Sequence, residues 1–367
     1  MNSPLDEMLR SAVRDLADGA APAPEDLASR ALGRGRRLRR RRRVAATATA
    51  LVAVVAVTLP FVLLRPRTAP PPTTPPVTAT PSPVIRSAPG PNWSNAPLVL
   101  PGGWVVTSLS EVASSIGRSY LLDRERGRYI ANGRYDAVLP APTGSLVAVW
   151  DDDRPRQVGL VDLAGGTTRW YEPGRALGTP NWSPDGRHLL FTSQRVDYFG
   201  FVVLDAKGTT RSHAVDTDEF FCTDYCFFLW SRNGREVLLQ QTDPGRPRSE
   251  SARHPRRGVQ FFSTATGRPT RLEPLPGDPA GPWAWSPDGK LVVIQGQREP
   301  LLVETATGRV INALPAADAV WAGSDRLLYR RPNGSRDFVY SDTTGRELVR
   351  QPLPEEFRLA DVTIAPR

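Results

Sequence analysis

Lysine is almost missing from this 367-residue chain: of its 47 basic residues only Lys207 and Lys290 are lysine, and the other 45 are arginine. That bias is the mark of a high-G+C bacterial coding sequence rather than of a binding chemistry. There are two cysteines and three histidines, none of them before His188, which excludes a disulfide-dense scaffold and a zinc-binding N-terminal module. No Gly-x-Ser-x-Gly elbow occurs, and no hydrolase-like segment follows the C-terminal repeats described below, so nucleophilic hydrolysis has no visible machinery.

Positive charge is also missing where a nucleic-acid binder would need it. The net charge of +9 divides into +5 over residues 1–43 (11 Arg against six acids), +2 from Arg65 and Arg67, and only +2 over 68–367. A nearly neutral C-terminal mass gives no electrostatic footprint for nucleic acid. Eight arginines fall within 34–43, directly before VAATATALVAVVAVTLPFVLL, residues 44–64, which holds no charge. As a helix those residues reach roughly 31 Å, the thickness of a bilayer core. A cleaved signal peptide shares the basic and apolar regions, but the apolar run is long and Leu64-Arg65-Pro66-Arg67 has no small-x-small site. The expectation is therefore an uncleaved transmembrane helix in contact with the lipid bilayer, with residues 1–43 cytoplasmic and the C-terminal mass extracytoplasmic by the positive-inside rule.

Within 1–43, Ser3-Pro4-Leu5-Asp6 reads as a helix start, and Leu5, Leu9, Val13 and Leu16 keep helical spacing. This tail with short amphipathic helices is either a docking segment for a cytoplasmic partner or a tail whose helices form only transiently. It resembles the cytoplasmic tails of single-span regulators such as anti-sigma factors, which implies a signalling alternative with the tail as output. Residues 65–97 carry 11 prolines among Thr, Ser and Ala, the composition of an extended stalk.

From residue 98 the sequence repeats itself. NWSPDGRHLLF from Asn181, LWSRNGREVLL from Leu229 and AWSPDGKLVVI from Ala284 each join two apolar strands by a tight turn, with weaker copies at APTGSLVAVW from Ala141 and VWAGSDRLLYR from Val320. A second hairpin follows most of them: LVDLAGGTTRW from Leu160, VVLDAKGTTR from Val202, FFSTATGRPTRL from Phe261, LVETATGRVI from Leu302 and VYSDTTGREL from Val339, with a sixth copy at YLLDRERGRY from Tyr120. Two hairpins per period make a blade of four antiparallel strands. These motifs resemble those of TolB-type and WD-repeat-like β-propellers, whose blades carry a WSPDG-like turn and a D-x-x-x-G turn. The resemblance covers 98–367 and implies a fold, not an activity.

The second hairpin occurs six times and the first only five, so the missing strand must come from a terminus. DVTIAPR from Asp361 ends like a strand entering a WSP turn, and PGGWVVTSL from Pro101 begins like one leaving it. The expected fold is an all-β, six-bladed propeller over 98–367, closed by pairing Val362–Ala365 with Trp104–Thr107 and preceded by one transmembrane helix. Closure removes a free sheet edge from the ring. A seventh blade would require extra strands within 241–282.

Trp182, Trp230, Trp285 and Trp321 share one repeat position, which points to packing between blades rather than a ligand cage. The Asn-x-Ser triplets at Asn92, Asn181 and Asn333 are sequons by pattern only. Cys222 and Cys226, in FFCTDYCFF, read as a disulfide stapling a loop; two cysteines alone make a poor metal site, and the spacing is not that of a redox C-x-x-C pair. His188, His213 and His254 show no partner pattern. Asp151, Asp152 and Asp153 lack the spacing and Gly of a calcium loop and read as solvated. No cofactor is expected.

The two longest connections, 215–228 and 242–258, should emerge on the same face at consecutive blades. The second carries Arg246, Arg248, Arg253, His254, Arg256 and Arg257 against Asp243 and Glu250. These six residues form the candidate binding rim, for an anionic envelope polymer, a lipid headgroup or an acidic protein surface; the competing reading is a mobile insertion. The functional expectation is a membrane-anchored binding or scaffold module without catalysis. A propeller hydrolase or lactonase with a metal in its central channel is the alternative, and it requires carboxylates, His or Asn from several blades to converge.

Overall fold

The computed structural model describes residues 82–111, 118–174, 177–195, 198–223, 226–246, 253–332 and 336–367. The expected tail 1–43, span 44–64 and first part of the stalk lie outside the described residues. Among the described residues no helix is long and apolar enough to cross a membrane.

Six antiparallel sheets are present, each with a core of four strands. Along the chain, four of them are complete in order: Ala137–Pro140 to Thr167–Tyr171, Leu177–Trp182 to Thr210–Ala214, Leu229–Trp230 to Pro269–Glu273, and Asp278–Pro279 to Val310–Ala313. These are blades two to five, and Val320–Trp321 to Glu347–Gln351 is blade six. Blade one takes Trp104–Ser110, Ser119–Asp123 and Arg128–Asn132 from the N-terminal side, and its inner strand is Asp361–Pro366 from the C-terminus. The register is Val362 to Leu109, Ile364 to Val106, Ala365 to Val105 and Pro366 to Trp104, so the ring closes where the strand count requires. Arg367 N–H then donates to the Gly103 carbonyl at 2.9 Å and completes the seam.

Local chemistry explains the repetition. In the first hairpin the Ser183 hydroxyl bonds Asp185 Oδ1 at 2.5 Å and accepts the His188 amide at 3.0 Å, and Ser286 with Asp288 and Ser231 with Asn233 repeat the turn. In the second, a carboxylate at the strand end accepts the amides that follow: Asp205 Oδ1 takes Lys207 N–H at 2.8 Å and Thr209 N–H at 2.9 Å, and Asp342 Oδ1 takes Thr344 N–H at 3.0 Å. The turn closes on a glycine in the left-handed region, and at Gly308 (φ +70°) a Cβ would stand 2.0 Å from the Pro274 carbonyl oxygen, so only glycine fits.

The core lies between neighbouring blades. Phe201 and Leu190 of blade three meet Phe228, Trp230, Val237 and Phe262 of blade four, and Leu238 and Phe261 turn the other way onto Val292, Ile294 and Trp285 of blade five. The repeat tryptophans belong to this packing. Trp182 Nε1 donates to Leu139 O at 2.8 Å, Trp230 Nε1 to Asn181 O at 2.9 Å and Trp321 Nε1 to Ala284 O at 2.8 Å, each bridging to the preceding blade.

The stalk boundary needs correction. Residues 82–97, expected as extended spacer, lie on the propeller. Val84–Ile85 pairs in parallel with Val349 and Arg350 on the outer edge of blade six. Trp93 is buried against Tyr120, Tyr129 and Phe357, with ring centroids 5.1, 5.3 and 5.2 Å away, and its Nε1 donates to Glu356 Oε1 at 2.6 Å. Proline content predicts extended backbone correctly, but extended backbone can also add to a sheet edge, and one buried indole is enough to fix the segment.

Candidate functional site: the blade-four ledge and the channel cavity

The two long connections do meet. Thr242 N–H donates to Phe221 O at 2.9 Å, and the Thr223 amide donates to Thr242 Oγ1 at 2.8 Å. Arg256 then fastens the pair from inside. Its side chain is 2% exposed; Nε and Nη2 reach Asp278 Oδ1 and Oδ2 at 2.7 and 3.2 Å, while Nη1 reaches Thr223 O at 2.6 Å and Thr242 Oγ1 at 2.9 Å. Asp278 begins the inner strand of blade five, so one guanidinium ties two loops to the next blade. Arg253 Nη1 adds a second ion pair to Asp278 Oδ2 at 2.7 Å. On the other flank Gln194 Nε2 donates to Cys226 O at 2.9 Å, and Phe228 N–H donates to Thr192 Oγ1 at 2.8 Å. Cys222 and Cys226 are joined as a disulfide, with Cα atoms 5.8 Å apart.

This arrangement changes the expected rim. Arg256 is a buried tie, not a surface cation. His254 is buried with Nδ1 3.3 Å from Thr223 Oγ1, and Arg253 is held by Asp278. Arg246 pairs with Asp243 at 3.4 Å, Arg257 is exposed, and Arg248 lies outside the described residues. The adjoining loop exposes Asp216, Asp218 and Glu219. Among the described residues the ledge therefore presents both signs of charge rather than a uniformly basic rim. A tally of charges along one loop cannot see a partner such as Asp278, 22 residues from Arg256.

The other motif residues have structural surroundings. His213 Nε2 lies 3.1 Å from Thr264 O and its ring packs on Phe201, while His188 packs near Trp230. The Asp152 and Asp153 amides bond the Asp136 and Asp151 carboxylates in an exposed turn. Asn333 lies outside the described residues.

A second feature was not found from sequence. The inner strands line a half-open cavity of about 260 Å³ walled by Pro140, Pro142, Pro180, Pro282, Trp182 and Trp283, with Thr107, Ile364 and Asp318. It exists because blade five breaks the repeat: after Asp278–Pro279 the chain forms a short turn, Pro282–Ala284, before Trp285 returns to the common position. Trp285 Nε1 donates to the Glu273 carboxylate at 3.2 Å, where the other three repeat indoles use backbone carbonyls. Trp283 stands edge-on to Trp104 of blade one, centroids 5.6 Å apart, with the Arg232 guanidinium 5.7 Å from its ring. Among the described residues Asp318 is the one ionisable residue of the wall. Water reaches it inside the channel, but the surrounding protein desolvates the carboxyl and pushes its pKa up, against its own backbone amide and Arg330, which favour the charged form. The extra Trp in GPWAWSPDG and the acid in ADAVW were the available signals.

No family model and no curated protein matches this chain. Solved structures similar to it include TolB from Acinetobacter baumannii (17% identity over 76% of this chain and 67% of that one, TM-score 0.47). Others are the β-propeller domain of the trilobed protease from Pyrococcus furiosus (10% identity, 69% and 83% covered, TM-score 0.43) and an acylaminoacyl peptidase from Pyrococcus horikoshii (12% identity, TM-score 0.42). The chain covers 67% of itself but only 43% of that peptidase. The six-bladed assignment rests on this chain's own strand pairing.

The donor set bears on the metal alternative. Among the described residues no group of three or more His, Cys, Asp and Glu is gathered, and the cavity wall offers the Asp318 carboxylate, the Asn181 side chain and no imidazole. These residues do not fit a channel metal of the kind that alternative requires.

Proposed function

We propose that this protein is a membrane-tethered, extracytoplasmic scaffold that binds a protein partner on the blade-four ledge and catalyses no reaction. The carrying observation is the Arg256–Asp278 tie: a buried ion pair that holds two long loops as one rigid surface fits a recognition platform. The mixed charge of the ledge favours a protein surface over a polyanion, which would select cations alone. The uncharged run 44–64 behind its arginine cluster supports the tether and the orientation.

The test is site-specific photocrosslinking in the native envelope. A photoreactive residue at Arg246 should give one discrete adduct, and the same residue at Lys207, in a second-hairpin turn of the opposite face, should give none. Equal adducts from both positions, or no adduct from Arg246, would refute the ledge as the binding surface.

A further inference from the structure

The channel cavity has a chemistry of its own, separate from the ledge. Four of its wall residues are prolines, which offer no N–H, and the Trp182 N–H is engaged by Leu139 O; besides the indoles, the polar side chains of the wall are those of Thr107, Asn181, Thr363 and Asp318. The Thr107 hydroxyl, on a residue 1% exposed, has no hydrogen-bond partner among the described residues. The Asp318 carboxyl is met by its own backbone amide and, among the described residues, by no other hydrogen-bond donor or ion-pair partner. The cation nearest it is Arg330, whose guanidinium is held by four carbonyls: Arg336 O at 3.0 Å, Arg358 O at 2.7 Å, Phe357 O at 3.5 Å and Ala360 O. Arg232, whose guanidinium lies 5.7 Å from the Trp283 ring, is engaged by Trp285 O at 2.6 Å. A carboxylate that water reaches on the channel wall, whose nearest cation is spent on backbone carbonyls, gains most from a ligand that brings both charge and N–H donors.

We infer that the channel cavity is a binding site for a small organic cation, an alkylammonium or alkylguanidinium group, with its head on Asp318 and its alkyl body between Trp182, Trp283 and the prolines. A cavity of about 260 Å³ suits a group the size of one basic side chain. Two sources share this chemistry: a free amine of the envelope, or a lysine or arginine side chain offered by a partner.

The experiment is calorimetric titration of the full chain, in neutral detergent, with n-butylammonium, n-butylguanidinium, n-butanol and Nα-acetyl-argininamide. The cations should bind and n-butanol should bind at least roughly tenfold more weakly, since it lacks the charge. Asp318→Asn should weaken the cations by at least roughly tenfold, and Asp318→Glu should restore part of that loss. If the blocked argininamide also binds, the source is a partner's side chain; if only the free alkyl cations bind, it is a small molecule. Equal binding of n-butanol, unchanged affinity in Asp318→Asn, or no heat from either cation would overturn the site. The comparison of n-butanol with n-butylammonium needs no variant and stands even if Asp318→Asn fails to fold. Crosslinking at Arg246 without amine binding would overturn this site and leave the ledge intact, and the converse separates the two equally.

Discussion

Replacing Arg256 by alanine removes the tie on which the ledge depends. The side chain is 2% exposed, and its hydrogen bonds include two to Asp278, one to Thr223 O and one to Thr242 Oγ1. Deleting one partner of a buried ion pair costs about 3–5 kcal/mol, chiefly because the other charge is left uncompensated. Arg253 still reaches Asp278 at 2.7 Å, so the lower end, about 3 kcal/mol, is the expected cost. For a domain of this size that lowers the melting temperature by about 6–10 °C. The assay is thermal melting of the full chain followed by circular dichroism, with limited trypsinolysis at Arg253 as the local readout. Arg256→Ala should melt early and be cut faster in 242–258. The pair Arg256→Met with Asp278→Leu should recover much of the loss, because no buried charge remains. A single variant that melts within about 2 °C of the wild type, or a double variant whose loss equals the sum of the singles, would refute the reasoning.

Three further outcomes follow from named contacts. Gly308→Ala forces a Cβ to within 2.0 Å of Pro274 O at a φ of +70°, so it should destabilise by about 3 kcal/mol or more in a urea melt, against about 1 kcal/mol for Gly103→Ala, where a Cβ meets nothing but φ is also positive and only the backbone strain is felt, so the difference between the two measures the clash. Opening the short Cys222–Cys226 loop with paired serines should cost about 2 kcal/mol on chain-entropy grounds, read as a lower melting point, and adding reductant to the wild type should match it. Burial opposes ionisation of Asp123, Asp205 and Asp342, yet the amides and side chains of their turns hold each carboxyl below its ordinary value. Their folded pKa values are depressed, so their contribution is whole above the unfolded carboxylate range near about 4 and is lost as pH falls through the folded values. Melting temperature should therefore drop on acidification below that range, and less steeply in Asp342→Asn; a flat acid profile would contradict the turn assignment.

How much of this was legible depended on distance along the chain. Gly127, Gly166, Gly208, Gly267, Gly308 and Gly345 announce their hairpins because a tight turn is a local demand, and each has positive φ in the structure. Counting these turns against the WSPDG-like ones showed that a strand was missing and that Asp361–Pro366 would supply it. The same reasoning separated Trp182 and Trp321 from ligand chemistry, since a residue that recurs in every blade serves what every blade shares. What sequence could not show were contacts between residues far apart. Arg256 looked like a surface cation until Asp278 appeared beside it, and Trp93 looked like part of a spacer until Phe357 packed on it, 264 residues away. The cavity escaped for the same reason: Thr107, Asp318 and Trp283 come from three blades, and each is unremarked within its own repeat.

Ledge and cavity alike presuppose a ring sealed by its own two ends, and amide hydrogen exchange of the full chain reads that seal directly. If Asp361–Pro366 is the inner strand of blade one, the ladder amides of Val362 to Ala365 should be protected as strongly as those of Val147 to Val149 in blade two. Exchange of that terminal segment at the rate of an unpaired tail, while Val147 to Val149 stay protected, would mean that the ring is open and the channel wall incomplete.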